Sequence, residues 1–209
     1  MKEENRVVVK LGGSCSSRLQ ELILDLKECA ERGGVDILII PGGWVFADLV
    51  RKLEVDDTTA HWMAVKAMDL YGNYISSYGA DTIEPSQFGF NISGVNVLLP
   101  YRLLRKYDEL NHSWEVTSDS IALWVAHKLG FKEIVKLTDV DGVLVNGRLV
   151  KEIEAENVAR LKTCVDGYSP ALMQEFGVDM FVCNGLKGRV KDYILRDRAE
   201  GTRIKAHKY

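Results

Sequence analysis

Apolar residues along this chain gather in short blocks, and the spacing between blocks changes character. RVVVKLGG (6–13), DILIIPGG (36–43), EIVKLTDVDG (133–142) and DMFVCNG (179–185) each hold four apolar residues and end in glycine. Such blocks read as strands buried on both faces. Between them the period shifts to that of a helix. Residues 16–32 place Leu19, Leu22, Ile23 and Leu26 on one face, with Gly33-Gly34 as the stop. A short helix is predicted at about 44–54, and Asp57 or Thr58 is placed to cap a longer one reaching about Tyr78. Residues 81–113 are less periodic, with one short strand, NVLLP, and a helix or turn at 101–107.

The second half repeats the alternation. Thr117 or Ser118 caps a helix running to Leu129, with Gly130 as its stop. VLVNGRLV reads as a hairpin, because Asn146-Gly147 suits a type I′ turn between two apolar runs. Helices are predicted at about 156–162, 169–177 and 187–197, and GTRIKAH as a last strand. Strands alternating with helices predict an α/β fold, a mainly parallel sheet covered on both faces. In such sheets ligands meet the carboxyl ends of the strands. The chain has no repeat and no low-complexity linker, so the expectation is one domain over 1–209, with lobes at about 1–115 and 116–209.

Composition narrows the choice of partner. The 209 residues are 46% hydrophobic and 27% charged, with a formal charge of −3 and no long basic run, so nucleic acid is not the expected partner. No apolar run approaches the ~20 residues needed to span a bilayer. The polar start MKEENR does not read as a leader. Cys15, Cys29, Cys164 and Cys183 form no C-x-x-C pair, which suits reduced thiols in a cytoplasmic protein.

The strand ends carry the candidate chemistry. Gly12-Gly13-Ser14 follows the first strand. Glycines there let a backbone approach a ligand, and turn N–H groups can bind phosphate oxygens, with a following helix adding its positive end. A plain tight turn would look the same. Lys10 tips the balance, because an unpaired lysine in a central strand costs several kcal/mol to bury. Beside a phosphate cleft it would neutralise a transferring phosphoryl group. Gly42-Gly43 makes a second cradle, with Trp44 and Phe46 behind it as core or lid. Asp119 sits in the first turn of its helix, where it could cap the helix or hold active-site lysines. Thr138, Asp139, Asp141 and Gly142 form an acidic loop that could serve a metal-bound phosphate or simply a turn. His61 and Asp69 lie eight residues apart, two turns along one helix face, and could touch substrate or pack.

Taken in order, VVVKLGGS, IIPGG, TSDSIALWVAHKLG, KLTDVDGVL and VDMFVCNG…GTRI resemble the amino acid kinase superfamily over about residues 6–205. The resemblance implies a three-layer αβα sandwich that transfers the γ-phosphoryl group of Mg²⁺-ATP. It makes Lys10 the lysine contacting the transferred group and Asp119 the aspartate organising the catalytic lysines. It makes Gly12, Gly13 and Ser14 the phosphate loop, with Thr138, Asp139, Asp141 and Gly142 on the nucleotide side. Gly42 and Gly43 become the acceptor-side loop, with Trp44, His61 and Asp69 as further acceptor candidates. Cofactors would be ATP and Mg²⁺, and the assembly a homo-oligomer. HWMAVKAMDLYG, WEVTSDSIALW and CVDGYSPALMQEFGVDMFVCNG look most like an archaeal branch converting a small phosphate monoester to its diphosphate. That acceptor carries a furan ring and an ammonium group, for which Asp48, Asp69 and Glu115 are candidate partners, and Trp44, Phe46 or Trp62 candidate platforms. Uridylate kinase is the same-class alternative. A non-catalytic molybdate or tungstate storage or effector-binding relative is the different-class one.

One departure bears on mechanism. Many members of the superfamily carry a second lysine after the acidic loop, in a G-G-M-x-x-K segment. The equivalent stretch here, CVDGYSPALMQEF, has none, which leaves Lys187 or Arg189, or Mg²⁺ itself, to supply the charge.

Overall fold

The computed structural model describes residues 5–207; the first four residues of the polar start lie outside it. An eight-stranded sheet organises the chain, in the order β3-β4-β2-β1-β5-β9-β10-β8. The strands are β1 (Arg6–Leu11), β2 (Asp36–Pro41), β3 (Asp81–Ile83), β4 (Val95–Leu98), β5 (Glu133–Thr138), β8 (Glu152–Glu154), β9 (Asp179–Asn184) and β10 (Thr202–Lys205). All neighbours run parallel except β9 and β10. The predicted hairpin forms a separate pair, β6 (Leu144–Val145) with β7 (Arg148–Leu149), and Asn146 and Gly147 both take positive φ as a type I′ turn requires.

Side chains alternate across the sheet, and each face has its own core. Val8, Leu38, Ile40, Ile134, Met180 and Val182 pack under α5 (Ser118–Lys128), α7 (Ser169–Phe176) and part of α3 (Asp57–Ser76). Val9, Leu11, Ile37, Ile39, Val135 and Leu137 pack under α1 (Leu19–Gly33), α8 (Arg189–Arg196) and the rest of α3. The layers are therefore helix, sheet, helix. Fully burying each of these aliphatic side chains contributes about 1.5–3 kcal/mol. By the same alternation Lys10 and Lys136 belong to the α5 face.

Remaining helices are α2 (Trp44–Val50), α4 (Tyr101–Tyr107) and α6 (Ala155–Val158). Several boundaries differ from the sequence reading. The helix expected over 16–32 begins as a 3-10 turn, Gly13–Arg18, because Cys15 N–H bonds back to Gly12 O (3.1 Å) and its buried thiol is drawn inward. Gly34, at φ +63°, closes α1 as expected. The cap of α3 is Asp56, not Asp57 or Thr58: its carboxylate accepts from Thr59 N–H at 3.0 Å and Thr59 Oγ1 at 2.6 Å. α2 ends at Val50, beyond which Leu53 and Val55 are exposed and no core continues the helix. The edge strands β3 and β8, three residues each, have no apolar block to announce them.

Candidate active site

Strands β2, β1, β5 and β9 are adjacent and parallel, so their carboxyl ends and following loops meet on one edge of the sheet. The loops lock together through backbone bonds. Gly12 N–H donates to Leu137 O (3.1 Å), Gly42 N–H to Leu11 O (2.9 Å) and Gly185 N–H to Thr138 O (2.8 Å). Glycine is required where these loops touch: a Cβ on Gly13 would lie 2.8 Å from Trp44 Cα. Ser14 is exposed at the mouth of its loop. Because a 3-10 turn follows, the anion-binding groups on offer there are the turn's own N–H groups rather than the end of an α-helix, which corrects the expectation of an in-line helix dipole.

Beneath the loops lies a buried charge cluster. Asp119 is in the first turn of α5, whose N-cap Thr117 accepts from Asp119 N–H through Oγ1 at 3.2 Å. Its Oδ1 is 2.9 Å from Lys10 Nζ, and its Oδ2 accepts from Lys136 Nζ. Lys136 also donates to the Cys164 carbonyl. All three charged side chains are under one-tenth exposed. Burial pushes the Asp119 carboxyl up, but the attraction and hydrogen bonds of the two lysines outweigh it and hold the group well below the usual carboxylate range. Burial pushes the Lys136 ammonium down; Asp119 opposes this, Lys10 adds to it, and the net shift is downward.

Lys136 is absent from the candidates read off the sequence. The signal was present: Val9-Lys10-Leu11 and Val135-Lys136-Leu137 are the same tripeptide at the same depth in neighbouring strands. Asp166 was also missed. It accepts from Thr117 N–H (3.3 Å) and Oγ1 (2.6 Å), from Ser120 N–H (3.3 Å) and Oγ (3.0 Å), and from Ser169 N–H (2.7 Å). Its own N–H donates to Asp119 Oδ2 at 3.4 Å. The segment CVDGYSPALMQEF thus contributes a carboxylate that ties α5 to α7. Arg189 is not at the cluster; it pairs with Asp141 (2.5 Å) and Glu200 (2.9 Å) at the outer side of the acidic loop. Lys187 is exposed on the approach to α8.

In the acidic loop Thr138 Oγ1 donates to Asp139 Oδ1 (3.1 Å), and Asn184 Nδ2 donates to Asp139 O (3.1 Å) and Asp141 Oδ1 (3.2 Å). Gly142 has φ +151°, and a Cβ there would lie 2.5 Å from Thr202 Oγ1. Arg18 reaches the same place, donating to Asn184 Oδ1 at 3.0 Å. Among the described residues no group of three His, Cys, Asp or Glu side chains is disposed to hold a metal ion. A divalent ion there would have exposed Asp139 as a carboxylate neighbour and would take its remaining ligands from phosphate and water, which is the habit of Mg²⁺.

On the other side a cleft opens between α2, α3 and the loop before α5. Gly43, Ala47 and Arg51 line it from α2 and its two ends, His61, Ala64 and Met68 from α3, and Trp114, Thr117 and Ser118 from the loop before α5 and its first residue. Asp57 stands at its rim, and Arg51 lies 5.0 Å from the centre of the Trp114 ring. Of the acceptor candidates, Gly43 and His61 reach this cleft. His61 stacks on His112 (4.3 Å), and burial, reinforced by His112, pushes it down to about 4, so it is neutral near pH 7. Trp44 faces elsewhere, stacked on Tyr74 at 4.9 Å, and Asp69 accepts from Tyr101 N–H (3.2 Å) as the cap of α4. Asp48 and Glu115 are exposed outside the cleft, Asp48 near Arg51 (3.5 Å). The aromatic group at the cleft is Trp114 rather than Trp44, Phe46 or Trp62.

Comparison with known proteins agrees with this architecture. Residues 94–174 match the model of the amino acid kinase family. The chain is 35% identical over 191 residues to the [5-(aminomethyl)furan-3-yl]methyl phosphate kinase of Methanocaldococcus jannaschii, covering 85% of this chain and 87% of that one. It is 24% identical over 253 aligned positions to the isopentenyl phosphate kinase of the same organism, covering 94% and 97%. The UMP kinase of Ureaplasma parvum superposes with a TM-score of 0.72 at 17% identity, over 97% of this chain and 100% of that one, and shares the fold.

Proposed function

The chain belongs to the amino acid kinase family, and from that membership we propose that it uses Mg²⁺-ATP to convert a small phosphate monoester, [5-(aminomethyl)furan-3-yl]methyl phosphate, to its diphosphate. The observation that carries the reading is the placement of Lys10 and Asp119 between the acidic loop and a small, largely apolar cleft holding one tryptophan and one acid. Residues 116–209 then hold the nucleotide, with Thr138, Asp139, Asp141 and Gly142 around its phosphates beside Gly12, Gly13 and Ser14. Residues 1–115 hold most of the acceptor, with Gly42 and Gly43 under its phosphate.

An acceptor phosphate oxygen attacks the γ-phosphorus in line, the bond from that phosphorus to the β,γ-bridging oxygen breaks, and ADP leaves. The attacking oxygen is already ionised near neutral pH, so no general base is needed. Rate enhancement comes from positioning and from charge neutralisation by Lys10. Mg²⁺, carried on the nucleotide, would neutralise β- and γ-phosphate charge. His61, neutral and buried, suits a face against a flat ring better than an ionic contact.

An archaeal cytoplasmic enzyme is the setting this reading implies. A homo-oligomer would cover the apolar outer side of α2 and α3, where Leu49 is 59% exposed and Leu70 53%. The deciding experiment is an acceptor panel of the aminomethylfuran phosphate, isopentenyl phosphate and UMP, with ADP release as readout. The furan phosphate is expected to give the highest kcat/KM. Preference for UMP would instead make the protein a uridylate kinase, and ATP-independent retention of molybdate or tungstate a storage protein.

A further inference from the structure

We propose that Trp44 and Tyr71 form an aromatic wedge that positions the phosphate loop, holding the Gly12–Gly13 peptide so that its N–H faces the seam between the two glycine loops. The proposal deepens the kinase reading and rests on it. It starts from a strained backbone. Trp44 takes φ +48°, in the left-handed region that bulky residues rarely enter. Glycine would occupy that conformation freely, and two glycines stand immediately before it. Such a conformation persists only where surrounding contacts fix it, and residues of this kind gather at working sites.

Three rings hold Trp44 in place. Its indole stacks on Tyr74 (4.9 Å between ring centres), leans on Tyr71 (5.2 Å) and meets Phe46 edge-on (5.6 Å). This puts it against Gly13, where a Cβ would lie 3.0 Å from both Trp44 Cβ and Cδ1. The indole therefore closes one side of Gly13. Tyr71 is fully buried behind the same loop, and its hydroxyl donates to Gly12 O at 3.3 Å. Burial pushes the phenol up, so it remains a donor across the working pH range. Gly12 O already accepts from Cys15 N–H (3.1 Å), so the hydroxyl does not rescue an orphaned carbonyl. It adds a second tether to the same peptide.

Peptide geometry makes the consequence specific. In a planar trans peptide the C=O and N–H point in opposite directions, so drawing Gly12 O toward α3 turns Gly13 N–H away from it. The Gly13 nitrogen lies at the seam, since a Cβ on Gly42 would come within 3.3 Å of it. Among the described residues no backbone carbonyl accepts from Gly13 N–H. A donor left unspent in a glycine-lined seam suits a phosphate oxygen. The wedge sets where that donor points. Because Trp44 directly follows the second glycine pair, the wedge also sets how far the two loops stand apart. Both side chains are positioning residues, acting through the loop backbone.

Three variants test it. Tyr71→Phe keeps the ring and removes the hydroxyl, Trp44→Gly keeps the backbone conformation and removes the indole, and Trp44→Phe restores a ring. Each is assayed for ATP and adenosine binding by titration, for turnover with the preferred acceptor of the panel and for unfolding in urea. Tyr71→Phe and Trp44→Gly should each weaken ATP binding by about tenfold and lower kcat by about 10- to 100-fold. Adenosine, which brings no phosphate to the loop, should bind all three within about twofold of wild type. Tyr71→Phe should unfold at the wild-type urea midpoint, and Trp44→Phe should regain about threefold or more of the turnover lost in Trp44→Gly. Wild-type ATP affinity and turnover in a folded Tyr71→Phe protein, or equal losses of ATP and adenosine binding, would overturn the wedge while leaving the kinase reading intact. A wild-type protein that binds no ATP would overturn both.

Discussion

Lys10 and Lys136 stand opposite one another on neighbouring parallel strands, bridged by the two oxygens of Asp119. The bridge is a matter of stability as well as of chemistry. With Asp119→Asn two ammonium groups face each other across a neutral amide in a dry site. Uncompensated buried charge of this kind costs about 3–5 kcal/mol. Urea unfolding at pH 7 should show a loss of that order. The loss should shrink toward pH 10, because Lys136, already disposed to lose its proton, can then be neutral. The variant's kcat should fall more than its affinity for ATP; an unchanged kcat would reduce Asp119 to a helix cap.

Lys10→Ala is expected to separate the two roles. Asp119 keeps Lys136 as its partner, so the buried cluster becomes a neutral pair and the fold should survive, with a melting temperature within a few degrees of wild type. Turnover should drop by about 100- to 1,000-fold, the scale on which removal of one preorganised charge donor acts. Near-normal turnover in a folded Lys10→Ala protein would remove Lys10 from the reacting centre.

The buried carboxylates Asp69 and Asp119 should respond to pH in opposite senses. Asp119 titrates below its unfolded value, so its stabilisation is complete above about pH 4 and is lost as pH falls further. Burial, partly offset by the Tyr101 N–H bond and Lys66, raises Asp69 to about 6. Its ionised form is therefore less favourable folded than unfolded, and it costs stability above pH 6. That cost fades as pH drops from 6 toward 4, because the folded protein takes up the proton first. Asp69→Asn retains an oxygen to accept from Tyr101 N–H and removes the charge. It should stabilise the protein at pH 8 by about 1–3 kcal/mol and make no difference at pH 4, as denaturant titrations at the two pH values will report.

Much of this was legible in the sequence because the central strands are buried on both faces and write themselves as continuous apolar runs. VVV, ILII and MFVC are such runs, and the glycines behind them mark where the loops converge. Lys10 was visible because glycines followed it. Lys136 has no glycine behind it, and the Thr-Asp-Val-Asp run that follows suits an acidic turn without any cation. Its meaning depends on strand register, which no local pattern records. The edge strands β3 and β8 were missed for the opposite reason, being short and half polar. Trp44 follows the second glycine pair and Asp69 shares a helix face with His61, but packing against Tyr74 and capping of Tyr101 are tertiary facts that neither position records. Asp57, the acid lining the cleft between α2 and α3, reads in the sequence only as a helix cap. Asp56 performs the capping, which leaves the Asp57 carboxylate outside that role.

That division of labour between Asp56 and Asp57 leads to a test of substrate choice. Asp57 stands at the cleft rim, with Trp114 nearby as a flat surface and Arg51 over that ring. An acceptor bearing an ammonium at one end and a phosphate at the other could reach from Asp57 to the glycine loops. A hydrogen bond between charged partners contributes about 1.5–3 kcal/mol, so Asp57→Asn should lower kcat/KM for the aminomethyl substrate by about 10- to 100-fold. The same variant should treat an analogue with a methyl group in place of the aminomethyl group as wild type does, because that analogue offers Asp57 nothing to bind. Steady-state kinetics on the two substrates measure the difference directly. An equal loss on both would move the ammonium site elsewhere, and no loss on either would leave Asp57 outside acceptor recognition.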